Sequence, residues 1–237
     1  MPPSSKPAPK PLVIYGAAGH AKVVFDIVEK QGVYEIVGVL DQYKPIGAEC
    51  GPQHVSGTME DLPRMARERP GLEVIVAIGD NWARARISSE IVQLCPDIRF
   101  GVAIHPSAQI GGGATVGQGT VVMAGTVINP AAKVGEGCIL NTRASLDHDS
   151  LMHSFSSLGP AAAVGGAVHI GAYTSIGIGA TVIQEIHIGK HVVIGAGAVV
   201  VRHIPDSVVA YGVPARVIHR RHAGERYLGD VTAAEQR

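Results

Sequence analysis

From residue 104 to residue 200 every sixth position is aliphatic, beginning Ile104, Ile110, Val116, Val122 and ending Ile188, Ile194, Val200, seventeen stations without a slip of register. Glycine follows nine of these stations, and a small residue such as Ala108, Thr126, Ala144 or Ser156 usually stands two places before. A helix needs apolar spacing near 3.6 and an ordinary strand near 2, so neither accounts for the pattern. A fixed six-residue period predicts a solenoid of short strands. Three hexads close one triangular circuit, with the aliphatic residue inward and the small residues letting each corner turn. Circuits stack at about 4.8 Å, and seventeen hexads give between five and six of them. Glycine after the station is expected where the chain bends and φ turns positive.

Ahead of the coil the pattern changes. Residues 12–15 form a short apolar strand, followed by Gly16-Ala17-Ala18-Gly19-His20. Residues 21–30 then show helical spacing, with Val24, Ile27 and Val28 on one face and Gly32 as the stop. Residues 36–40 read as a second strand, closed by Asp41. Strand, glycine turn, helix, strand and acid is half of a nucleotide-binding α/β unit. The turn lets backbone approach phosphates, which a helix amino terminus attracts. It is not GxGxxG, so a nicotinamide cofactor has no support, and a bland αβ cap is the plainer alternative. Residues 59–68 predict a helix and 74–78 a third strand running into Gly79-Asp80-Asn81, at the carboxyl end where open α/β sheets take ligands. Residues 82–95 predict another helix, whose Arg84 and Arg86 read as a solvated face, with phosphate contact as the alternative. Residues 44–57 are an unplaced loop rich in Gly and Pro. The expected division is a disordered leader over 1–11, a Rossmann-like nucleotide-binding domain over 12–100, a coil over 101–205 and a carboxyl-terminal extension over 206–237.

Composition narrows the function classes. The chain has 237 residues and a formal net charge of +0, so nothing points to nucleic acid or an anionic membrane surface. Aromatics are only 4% against 30 glycines, which suits a thin coil interior better than a globular core. No apolar run approaches the ~20 residues of a membrane span. Residues 1–11 lack a signal peptide's apolar segment. Cys50, Cys95 and Cys138 are odd in number and far apart, the pattern of reduced cytoplasmic thiols. Cys138 occupies a small position of its hexad and reads as core filler.

One side chain breaks the coil's logic. His148 stands two residues after its station, on the outside, between Asp147 and Asp149. A surface histidine is the plainer reading, but packing gives no reason for an imidazole between two carboxylates. A neighbouring carboxylate raises imidazole basicity and selects a tautomer, which suits a general base near neutral pH.

The GAAGH turn, the stretch NTRASLDHDS, the unbroken hexads and the closing Tyr-Gly-Val-Pro-Ala-Arg of residues 211–216 together resemble the nucleotide-sugar N-acetyltransferases of the hexapeptide-repeat type. The resemblance spans residues 12–220. It implies a left-handed parallel β-helix, a homotrimer in the cytoplasm, a role in O-antigen and lipopolysaccharide biosynthesis, and acetyl-CoA as co-substrate with no metal. The acceptor it implies is the 4-amino group of a nucleotide-linked 4-amino-4,6-dideoxy sugar, GDP-perosamine favoured over UDP- or dTDP-linked sugars. It implies His148 as catalytic base supported by Asp149. Ala18, Gly19, His20, Asp41, Gln42 and Gly79 would bind the nucleotide sugar, with Asn141 as a sugar contact. Ile178 and Ala196, eighteen residues apart, would carry the coenzyme, and Arg216 its adenosine end. Ser157 stands where the family usually has a second histidine beside the coenzyme. Sugar O-acetylation is the nearest competitor, because the same base could activate oxygen. A zinc hydratase of the γ-carbonic anhydrase type would use His148 and His153, but its third ligand position holds Gly112, short of the three protein ligands a catalytic zinc needs. A non-enzymatic scaffold would leave the Asp-His-Asp triplet idle.

Overall fold

The computed structural model describes residues 8–227. Residues 1–7 of the expected leader and 228–237 of the expected tail lie outside the described residues. Lys10 and Pro11, assigned to the leader, are instead the first residues of strand β1 (Lys10–Tyr15). Helix α1 (Gly19–Gln31) follows and ends at Gly32, whose φ of 65° carries its N–H back to the Val28 carbonyl. Then come β2 (Tyr34–Leu40), a small antiparallel pair β3 (Glu49–Cys50) and β4 (Gln53–His54) inside the unplaced loop, and helix α2 (Leu62–Glu68). Strand β5 (Glu73–Val76), helix α3 (Asn81–Leu94) and strand β6 (Arg99–Phe100) complete the first domain. The sheet is parallel in the order β2-β1-β5-β6. The chain steps from β1 to β2 on one side and returns to β5 on the other. The crevice at the carboxyl ends of β1 and β5 is therefore a topological switch point.

The coil has seventeen two-residue strands, β7 (Ala103–Ile104) through β23 (Val199–Val200), each ending on an aliphatic station. Successive circuits pair in parallel register at a shift of eighteen residues, as Val121 with Ile139 and Ile139 with Ser157. Three faces result: the first (from β7), the second (from β8, Gln109–Ile110) and the third (from β9, Thr115–Val116). From Val122 onward the stations are buried, and so are the small residues two places earlier, Thr126, Ala144, Ser156 and Cys138 among them. Strands β24 (Val208–Gly212) and β25 (Ala215–Arg220) extend the first face as a hairpin, so the expected carboxyl-terminal extension begins as ordered strand.

The role assigned to the station glycines needs correction. Positive φ falls three residues after every station but the first and the last, at every sixth position from Gly113 to Gly197, with values between 54° and 73°. Nine of those fifteen positions carry side chains, Ala131, Asp149 and Tyr173 among them. The left-handed turn aims most of these N–H groups along the coil axis at a carbonyl one circuit earlier, as Ala131 to Gly112 at 3.1 Å and Asp149 to Pro130 at 3.2 Å. Burying an unpaired amide costs more than the local strain. The glycine after the station serves close stacking instead: a Cβ on Gly117 would meet the Gly135 carbonyl carbon at 2.6 Å.

The first domain sits on the first face. Leu12, Ile14, Phe25 and Val28 share one apolar cluster with Ala103, Val121 and Ile139 of the coil. Gln31 fixes the register, donating to the Val102 carbonyl and accepting from the Ile104 amide, each at 3.3 Å.

Candidate active site

The glycine turn after β1 lies against the end of β5. Ala77 N–H donates to the Tyr15 carbonyl at 2.7 Å, and Gly16, with φ of 103°, has space for only a hydrogen: a Cβ would meet the Ala77 oxygen at 3.1 Å. Asp41 ties the end of β2 into the same place. Its carboxylate accepts from the Ala17 amide at 2.8 Å, and from Tyr43 and Lys44 at 2.8 and 3.0 Å. Ala18 caps α1 in extended conformation; it is exposed, as are Gly19 and Gln42. His20 is largely covered, and its Nε2 is buried without a hydrogen-bond partner. Burial, with the nearby Arg84 charge adding, pushes its pKa down to about 4, so the ring is neutral at physiological pH.

A cleft of about 380 Å³ opens where this crevice meets the coil, along the corner between the first and second faces. Its walls bring together His20, Gly79, Asn141, Ser157, Ile178 and Ala196. Six residues singled out from the sequence, spread over 177 positions, thus share one cavity. Gly159, Gly177 and Gly195 floor it, and a Cβ on Gly177 would strike the Ile194 oxygen at 2.6 Å. Ile178 leaves 62% of its surface uncovered beside that floor.

Arg84 is the clearest correction. It is 1% exposed rather than on a solvated face, and it locks the two domains together. Its guanidinium donates to the carbonyls of Gly137 at 2.6 Å, Ile78 at 2.9 Å and Gly79 at 3.1 Å, and to Asn81 Oδ1 at 2.6 Å. Asn81 passes the link on, donating to Ser157 Oγ and the Thr174 carbonyl, both at 3.1 Å. Ser157 then donates to Ser175 Oγ at 3.3 Å. Ser157 is thus buried at the domain junction as well as on the cleft wall. Arg86 remains outside, paired with Glu90 at 3.2 Å. The sequence carried a signal for Arg84, since Arg84, Ile87 and Ile91 share the buried stripe of α3. No such signal marked Tyr227, which the fold brings to the cleft wall. Arg216, on β25 opposite Tyr211, is exposed and does not line the cleft.

His148 does not line it either. It occupies the corner between the second and third faces, with its side chain 59% exposed. Its Nδ1 lies 2.8 Å from Asp149 Oδ2, and its own amide donates to Asp147 Oδ1 at 2.7 Å. Asn129 donates to that same Asp147 oxygen at 2.6 Å. Asp149 holds the left-handed turn position, which folds its carboxylate back onto the ring. The hydrogen bond to Asp149, and then the charge of Asp147, raise the His148 pKa above the ordinary 6.5. The His148 amide and Asn129 hold the Asp147 carboxyl low. Among the described residues, no group of three or more His, Cys, Asp and Glu side chains is arranged to hold a metal ion. His153 belongs with His169, His187 and His203 to a separate cleft on the third face, and His191 stacks on Tyr173. No helix of the described residues is long and apolar enough to cross a membrane.

A three-faced hexapeptide coil carrying a switch-point α/β domain, with a carboxylate-paired imidazole on one corner, is the architecture of a sugar acyltransferase. Comparison with known proteins sharpens that class. Residues 11–91 match the family described as the PglD N-terminal domain. GDP-perosamine N-acetyltransferase from Caulobacter crescentus, solved as a point mutant in complex with CoA and GDP-perosamine, superposes with a TM-score of 0.82 at 37% identity, over 90% of this chain and 98% of that one. The acetyltransferase domain of PglB from Neisseria gonorrhoeae FA1090, in complex with acetyl coenzyme A, gives 0.81 at 34% identity, over 89% and 100%. UDP-N-acetylbacillosamine N-acetyltransferase of Bacillus subtilis (strain 168) is 35% identical over 116 residues, 48% of this chain and 52% of that protein, so the match spans about half the length of that relative. The chain belongs to the nucleotide-sugar N-acetyltransferases of the hexapeptide-repeat type, with their α/β domain followed by a left-handed parallel β-helix.

Proposed function

We propose that this protein transfers acetyl from acetyl-CoA to the 4-amino group of a nucleotide-linked 4-amino-4,6-dideoxy sugar, with GDP-perosamine the favoured acceptor. The observation that carries the reading is the junction cleft, where residues of the glycine turn and of the coil line one cavity. The turn over 18–20 and the amino end of α1 offer free N–H groups to the diphosphate. The neutral His20 presents its unpartnered Nε2 to the polar acceptor. Asp41 and Gln42 stand at the β2 end for the nucleoside, and Gly79 and Asn141 flank the sugar. The bare floor of Gly159, Gly177 and Gly195 lets the pantetheine arm lie against backbone at Ile178 and Ala196. Ser157 faces the same space, and Arg216 lies further along the first face towards the adenosine end.

The base must come from elsewhere, because His148 is one corner away from the cleft of its own chain. A homotrimer supplies it: the second–third corner of one copy docks against the first–second corner of the next. The second face suits such packing. Its outward residues, Gln109, Val127, Ser145, Ala163, Thr181 and Val199, are uncharged and mostly small. The first face is already covered by the α/β domain, and the third carries Lys133, His169 and His187.

In the reaction the amine nitrogen attacks the thioester carbonyl, forming the C–N bond as the C–S bond breaks. His148, with Nδ1 held by Asp149, accepts the amine proton at Nε2 and returns it to the departing thiolate. Acceptor choice is tested by thiol release and product mass with GDP-, UDP- and dTDP-linked 4-amino sugars and their 4-hydroxy counterparts. Amide formation with the GDP-linked amine is the expected result, and ester formation alone would replace N- by O-transfer.

The ion pair predicts a pH profile. His148 works only when neutral, and its pKa is raised, so kcat/KM should climb with pH through a value above 6.5. Asp149→Asn removes the largest raising influence, so the acid limb should move to lower pH while the plateau falls. An unmoved limb in that variant would take the titration away from His148.

A further inference from the structure

Gly166 lies one circuit after His148, in the same stacked position of its hexad. The two turns are joined where the Ala167 amide donates to the His148 carbonyl at 2.9 Å. A Cβ on Gly166 would lie 2.6 Å from His148 Nε2, 2.7 Å from Cε1 and 3.2 Å from Cδ2. Those three imidazole atoms are the nearest it would meet, so the ring occupies the space that a side chain here would fill.

Among the described residues of one chain, nothing else at this position asks for glycine. Positive φ belongs to the next residue of each turn, and Gly166 is not among the residues that adopt it. Equivalent positions two after a station hold Ala124, Ala172 and Ala196, so alanine is compatible with the turn. The glycines that let circuits stack sit one residue earlier, as Gly165 does against the Gln184 amide at 2.8 Å. Gly112, at the same turn position two circuits before His148, has no atom within 4 Å of the point a Cβ would occupy.

We propose that Gly166 is a positioning residue for the reaction: its bare Cα is the seat on which the His148 ring lies while Nδ1 engages Asp149. This rests on His148 being the general base. A Cβ would lift the ring by a fraction of its own width and swing Nδ1 from the carboxylate, spoiling both the placement of Nε2 and its basicity. Displacements of about 1 Å at a reacting group cost on the order of 10²-fold in rate.

The test is Gly166→Ala beside Gly112→Ala and His148→Ala. Gly166→Ala should lose about 10- to 100-fold in kcat with little change in KM for acetyl-CoA. Its acid limb should shift to lower pH, in the direction of Asp149→Asn. Gly112→Ala should keep the wild-type rate and profile. Gly166→Ala at wild-type kcat and pH profile, with His148→Ala inactive, overturns the seat and leaves the general base standing. His148→Ala at wild-type rate removes the base, and the seat with it. Stability separates a packing role, because the proposal expects Gly166→Ala to be neutral once the ring is gone. A lowered denaturation midpoint that persists in the His148→Ala background would assign Gly166 to coil packing and overturn the proposal.

Discussion

His148→Ala should lower kcat by about 10²–10⁴-fold, the range that a positioned proton acceptor contributes. The fold should not change, because the imidazole is exposed and, among the described residues, its ring bonds only the exposed Asp149. KM for acetyl-CoA should stay near the wild-type value, since the pantetheine arm would lie against backbone at Ile178 and Ala196 and the imidazole would meet only the reacting end. Thiol release under saturating substrates, together with circular dichroism and sedimentation, measures these separately. A variant that retained turnover within a few-fold would show that the amine loses its proton to water or to another group. His148→Gln then distinguishes hydrogen-bonding capacity from basicity, because an amide can hold the amine but cannot take its proton.

The second large effect concerns stability. Arg84→Met should destabilise the protein by about 2–4 kcal/mol, and Arg84→Lys should recover little of it. The guanidinium serves three carbonyls and the Asn81 side chain from a site with almost no solvent access. Removing it strands buried acceptors at about 1–3 kcal/mol each, partly offset by the desolvation cost of a buried cation that is then no longer carried. Burial lowers the Arg84 pKa to about 10, which still leaves it charged at neutral pH. Lysine has one nitrogen centre and cannot reach four acceptors that three separate guanidinium nitrogens serve. The chain's single tryptophan, Trp82, is on the same helix and packs on Tyr173 at 5.3 Å between ring centroids, so its fluorescence reports this junction directly. Urea denaturation followed at Trp82 should show the lower midpoint. An unchanged midpoint would mean that apolar contacts alone hold the domains.

Much of this architecture is legible in the sequence for one physical reason: a solenoid repeats its local chemistry, so seventeen hexads state one rule seventeen times. The order of β1, the glycine turn, α1 and β2 is equally readable, because apolar period and glycine placement are local properties. Non-local features are harder to read. Arg84 looks solvated in the sequence because a charge on a helix usually is, and only the docking of α3 on the coil reveals what it serves. The station glycines suggest a bend where the structure needs close stacking: a one-dimensional pattern shows where a Cβ is missing but not which neighbour excludes it. His148 is legible as an oddity, and Asp149 as its neighbour. Their separation from the cleft by one corner, and the approach of Tyr227 to that cleft, depend on how distant segments pack.

The stacking shift of eighteen residues has a consequence for how such chains can change length. An inserted block of one full turn adds a layer and leaves each side chain pointing the same way. A block of six swings everything beyond it by a third of a revolution, and the imidazole's compass bearing is then lost although every hexad still obeys the rule. Enzymes of this build can therefore grow taller freely, while the bearing of their chemistry is counted in residues modulo eighteen.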